Sequence, residues 1–202
     1  MLRITDVVKN LLIINVIVFF AVRYLLPFPG IERFFVLVFP GHAYPDLQSG
    51  IIYTFEPVQI VTHMFMHGDE RHLLFNMLGL FFLGPMVESV LGARRFFTLY
   101  ILSGFFATFL HMVFVQGGMV VGASGAIYGV LAAFATMFPN VELMLMFIPV
   151  PVKAKYMALG LLAIGVYLGF TGSSDGIAHL AHVGGAIMGF LLVRLWRMQN
   201  LR

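Results

Sequence analysis

The chain has no cysteine, and only 10% of its 202 residues are charged. Without cysteine there is no disulfide and no thiolate chemistry. The scarcity of charge excludes an ordinary soluble domain. Such a domain is about 45–50% apolar and about 25% charged, whereas this chain is 60% hydrophobic with mean hydropathy +0.97. A net charge of +3 and a pI near 9.4 do not imply nucleic acid as a partner. The basic residues stand at the ends of apolar segments and not together on one soluble face.

What is present is a series of long apolar runs. From Phe96 to Val141 there is no Asp, Glu, Lys or Arg, a stretch more than twice the roughly 20 residues that one bilayer crossing needs. It must cross twice, and the break is expected where glycines interrupt it, at Gln116-Gly117-Gly118 through Gly122. Apolar runs bounded by charge, Gly or Pro predict crossings near 8–27, 72–92, 95–116, 123–139, 154–172 and 176–197. The expected fold is an all-α membrane protein, a six-helix transmembrane bundle forming one domain over residues 1–202. The first apolar stretch has basic flanks but no small-residue cleavage pattern, so it reads as a crossing and not as a signal peptide.

Orientation follows from the 12 Lys and Arg residues. With the N-terminus inside, Arg3, Lys9, Arg94, Arg95, Lys153, Lys155, Arg194, Arg197 and Arg202 fall on the inner side and only Arg23, Arg33 and Arg71 on the outer. Both termini are then cytoplasmic, and the absence of a transit peptide or soluble extension points to a bacterial cytoplasmic membrane. The one long connection, residues 28–71, lies outside. Its segments Ile31–Phe39 and Gly50–Ile60 are too short to span and too apolar for water. They read either as pieces lying in the interface or as a small cap packed on the bundle.

Polar side chains inside such segments are costly and by default functional. Ser124, in Gly122-Ala123-Ser124-Gly125, and His182, in Ala181-His182-Val183-Gly184-Gly185, are both of this kind. Gly125 and Gly129 on the fourth crossing, and Gly185 and Gly189 on the sixth, are spaced so that two helix backbones approach closely. Packing through those faces would bring Ser124 to His182. A serine becomes a nucleophile when an adjacent base takes its proton, so the pair is the minimum for acyl transfer. No carboxylate is well placed to orient the histidine: Asp175 lies seven residues before it, and Glu88 and Glu142 fall at the inner ends. Tyr128, one turn after Ser124, would brace the imidazole by stacking. Acyl transfer also needs donors for the oxyanion. Candidates are the Ser124 amide at its helix start, behind the accessible glycine lead-in at Gly122, and His72 with Asn76, four residues apart on one face of the second crossing. His63 and His67 belong to the same outer cluster and read as helix–helix hydrogen-bonding groups.

With these residues in place the chain resembles the rhomboid family of intramembrane serine proteases. The resemblance rests on Gly122-Ala-Ser124-Gly125, on Ala181-His182-Val-Gly184-Gly185 with Gly189, on His72 and Asn76, and on Glu88-x-x-x-Gly92 with Arg95-Phe96. It implies Ser124 as nucleophile and His182 as general base and acid. It further implies His72, Asn76 and the Ser124 amide as the oxyanion site, Tyr128 packed against His182, and a membrane-embedded outer loop. One departure stands out: Val58-Gln59 occupies the place where the family often has Trp-Arg. The expected activity is endopeptidase cleavage of transmembrane segments of other membrane proteins in the lipid bilayer, without metal or cofactor. Two other readings are a catalytically silent rhomboid-like binder of membrane helices, and an intramembrane metal site built from His63, His67, His72, His179 and His182.

Overall fold

Helices form over the long apolar runs and stop where glycine or proline breaks them. The computed structural model describes residues 3–25, 30–47, 49–115, 117–145, 148–171 and 178–199. Gln116, Asp175, Arg202 and the first residues of the expected sixth crossing lie outside them. The helices are α1 (Asp6–Phe20, continued by a π turn over Ala21–Leu25), a short α2 (Gln59–Thr62), α3 (Glu70–Leu91), α4 (Ala93–Phe114), α5 (Ser124–Met137), α6 (Ala154–Thr171) and α7 (His179–Gln199). Five of them, α1 with its π turn, α3, α4, α6 and α7, have the length and hydropathy to cross a membrane. The chain is an all-α, multi-pass membrane protein.

The fourth expected crossing is shorter than the sequence suggested. α5 has 14 residues, about 21 Å at 1.5 Å per residue against a hydrocarbon core of about 30 Å. The reason is local. Gly117, Gly118 and Gly122 take φ of 96°, 114° and 119°, values that keep the chain out of helix until Ser124. At the other end Phe138 precedes Pro139, a position that disfavours helical geometry.

Among the described residues, six short strands lie between the helices: β1 (Leu37–Val38), β2 (Ala43–Pro45), β3 (Ile52–Thr54), β4 (Met119–Val120), β5 (Glu142–Leu145) and β6 (Ile148–Lys153). They pair antiparallel as β1–β4, β2–β3 and β5–β6. The first pairing joins the outer loop to the lead-in of α5, with Leu37 opposite Val120 and Val38 opposite Met119. The described part of the outer loop is therefore tied to the bundle, and Ile52, Val58, Ile60 and Val61 stay exposed along it. Gln59 is its knot. Fully buried, it donates from Nε2 to the Arg33 and Thr54 carbonyls at 2.7 and 2.8 Å, and its Oε1 accepts from the Val38 amide at 3.1 Å. A side chain with two donors and two lone pairs can join three backbone segments at once. At this position, where the sequence departs from Trp-Arg, glutamine bonds three segments of the loop.

α5 sits at the centre. A Cβ on Gly185 or Gly189 of α7 would overlap the carbonyl oxygens of Gly125 and Gly129, and a Cβ on Gly129 would also overlap Ser103 of α4. The backbones of α5 and α7 therefore touch. In lipid this contact matters because no hydrophobic force drives one apolar helix onto another, and close packing supplies the attraction. At the far end of α3, buried Glu88 takes over the start of α1. It accepts from the Thr5 hydroxyl at 2.5 Å and from the Val7 and Val8 amides at 3.1 and 2.9 Å. These are amides with no acceptor inside their own helix.

Candidate active site

The close approach of α5 and α7 brings together residues 58 apart in sequence: His182 Nε2 lies 2.8 Å from Ser124 Oγ. The Tyr128 ring lies flat on the imidazole, with centroids 4.2 Å apart and planes 7° from parallel. That stack holds the ring plane and leaves Nε2 aimed at the serine. His179, one turn earlier, meets His182 edge-on with centroids 6.3 Å apart. Of the two histidines, it is His182 that meets Ser124.

These groups line a cavity of about 590 Å³ with His72, Asn76 and Gly122. The φ of 119° at Gly122 turns the chain into α5, and a Cβ there would lie 2.7 Å from His72 Cε1 and 2.8 Å from its Nε2. Glycine is needed twice, for conformation and for space. The Gly68 amide donates to His72 Nδ1 at 3.4 Å, so in the neutral ring the proton sits on Nε2, on the side of Gly122. Asn76 Nδ2 donates to the His72 carbonyl at 2.8 Å, and its second N–H remains for the cavity. Ser124, as the first residue of α5, has an amide without an acceptor in its own helix. His72, Asn76 and Ser124 thus line one cavity.

Asp69 and the end of α1 escaped the sequence reading. Asp69 caps α3, its carboxylate accepting from the His72 amide at 2.7 Å, and that bond holds the carboxyl below its usual range. The signal was available, since Asp69-Glu70 precedes an apolar run as a helix cap does. The Gly68 carbonyl accepts from Arg23 at 3.2 Å, while Tyr24 bonds Glu70, so the end of α1 steadies the turn that sets His72. His63, buried, is held at Nδ1 by the Gln59 carbonyl at 2.7 Å and at Nε2 by Thr108 Oγ1 at 2.9 Å. Its carbonyl accepts from the Gly122 amide at 2.9 Å. Among the described residues no group of three or more His, Asp or Glu side chains is arranged to hold a metal.

Comparison with known proteins shows the family. A family model described as the Rhomboid domain matches residues 54–199. The chain belongs to the rhomboid family. Rhomboid relatives include the RHOMBOID-like protein 7 of Arabidopsis thaliana, 33% identical over 66% of this chain and 41% of that protein. The mitochondrial Rhomboid protein 1 of Saccharomyces cerevisiae is 34% identical over 69% of this chain and 42% of its own length. YdcA of Bacillus subtilis, whose name puts it forward as a rhomboid protease, is 34% identical over 66% of this chain and 64% of its length. The rhomboid chain described here thus spans less than two thirds of each of these relatives.

Proposed function

We propose that this rhomboid chain is an intramembrane serine endopeptidase working through a Ser124–His182 dyad. The observation that carries the reading is the 2.8 Å contact of His182 Nε2 with Ser124 Oγ in an otherwise apolar bundle, with Tyr128 stacked on the imidazole. His182 takes the Ser124 proton as the hydroxyl oxygen attacks a peptide carbonyl, and the developing oxyanion accepts hydrogen bonds from His72, Asn76 and the Ser124 amide. His182 then hands its proton to the leaving amine, and water, activated by the same imidazole, releases the acyl group from Ser124. The Tyr128 stack holds the plane of the base. The substrate is a transmembrane segment that must unwind locally, since a helical amide is engaged in its own hydrogen bonds. Residues 1–202 act as one domain, with the site toward the outer side of a bacterial cytoplasmic membrane and the basic segment ends inside.

The test is covalent labelling by a fluorophosphonate probe in detergent or liposomes. Wild-type protein is expected to be labelled at Ser124, and both labelling and cleavage of a membrane substrate should fall at least about a thousandfold in Ser124→Ala and in His182→Ala. Folded variants that still cleave would refute the dyad.

A further inference from the structure

The segment that enters α5 is held by the outer loop. Residues 117–123 contain three glycines at positive φ, Gly117, Gly118 and Gly122. Such a chain loses more conformational freedom on ordering than any other, so its geometry has to be fixed by contacts from elsewhere. Two anchors are backbone to backbone: the β1–β4 pairing at Met119 and Val120, and the Gly122 amide on the His63 carbonyl at 2.9 Å. The third is a side chain. The Gly118 amide donates to the Tyr44 hydroxyl at 2.5 Å. Tyr44 stands in β2 with the His42 ring parallel to its own, centroids 6.3 Å apart and planes 7° from parallel. A Cβ on Gly117 would lie 3.0 Å from Tyr44 Oη and 3.2 Å from His42 Nε2, so the two rings close over Gly117. Gly118 has no backbone partner in the ladder, whose register stops at Met119.

We propose that Tyr44 is a positioning residue for Ser124. Its hydroxyl fixes Gly118 and, through β4, the Gly122–Ser124 turn that carries the Ser124 hydroxyl and amide. The outer β2–β3 hairpin then contributes to the rate without touching the substrate. The rate effect rests on the protease reading above; the ordering of residues 117–123 does not. A neutral hydrogen bond at an otherwise glycine-rich turn, where small displacements of the reacting groups are amplified in the rate, is expected to change kcat about fivefold to tenfold.

The test compares full-length wild type with Tyr44→Phe, which removes only the hydroxyl and keeps the ring stack, and with Tyr44→Leu, which removes both. Backbone hydrogen exchange is read on peptides covering 117–123, and the fluorophosphonate acylation rate and the steady-state constants are read alongside the melting temperature. Tyr44→Phe is expected to exchange faster in 117–123 but not in α3 or α7. Its acylation and kcat should fall about fivefold to tenfold with KM unchanged, and Tyr44→Leu should go further in both. Unchanged exchange in 117–123 overturns the proposal. So does a lowered melting temperature with wild-type acylation per folded molecule, which is what a merely structural tyrosine gives. Should wild-type protein itself resist the probe, the protease reading falls, and exchange alone decides whether Tyr44 orders the segment.

Discussion

His63 and His67 lie beneath the candidate site as buried imidazoles and not as charged groups. His67 is 1% exposed, with its ring edge-on to His72 at a centroid distance of 5.0 Å and to Phe19 at 6.5 Å. Burial pushes the His63 imidazole down to about 4 and that of His67 to about 3, the latter with a further contribution from His72. An unfolded histidine takes its proton near pH 6.5. Between that value and the folded ones, the unfolded chain binds more protons than the native chain. Stability therefore rises with pH across this window and is lost as the pH falls from 6.5 toward 4. Melting temperatures measured from pH 7 to pH 4 should show that loss, and it should be smaller in His67→Phe than in wild type. Parallel curves for the two proteins would argue against the buried imidazole as the cause.

At the level of elements, the contact between α5 and α7 does most to assemble the site. Gly189 faces the Gly129 carbonyl with no room for a Cβ, whereas a Cβ on Gly160 of α6 would meet nothing within 4 Å. Gly189→Leu must push two backbones apart, and it should cost about 3 kcal/mol or more and separate Ser124 from His182. Gly160→Ala should lie within about 1 kcal/mol of wild type, and on the stable side if helix propensity decides. Thermal unfolding with fluorophosphonate labelling of both variants checks the contrast; equal losses would mean that small residues at the interface are incidental. The glycine spacing was legible in the sequence because it repeats along single helices. The β1–β4 and β2–β3 pairings were not. Strands of two or three residues carry no periodic signal, and β1 meets β4 across most of the outer loop and three helices.

For the whole molecule, Glu88 joins the beginning of the chain to the end of α3. It lies twelve residues beyond Asn76 on the same helix, about 18 Å along the axis, which puts it out of reach of the Ser124 chemistry. In Glu88→Ala the Thr5 hydroxyl and the Val7 and Val8 amides lose their acceptor. The expected cost is about 1–3 kcal/mol, seen as a lower melting temperature and earlier proteolysis near α1. Fluorophosphonate labelling per folded molecule should stay near wild type, and a large loss of labelling would show that α1 is coupled to the site more tightly than through Arg23 and Tyr24.

The sequence by itself determined the apolar segments, the few polar residues they retain and the helix faces those residues occupy. Such properties are local: each residue's transfer from water and each helical turn act independently of distant partners. The tertiary structure decided which of those residues meet. The glycine spacing already pointed to His182 as the partner of Ser124, but the 2.8 Å contact itself exists only where two helices approach at backbone contact. The Gln59 knot and the Tyr44–Gly118 bond depend on an outer loop whose partners are remote in sequence. Contacts of that kind exist only once the chain has closed on itself, because the entropy of bringing distant segments together is repaid by the whole set of contacts and by no single residue.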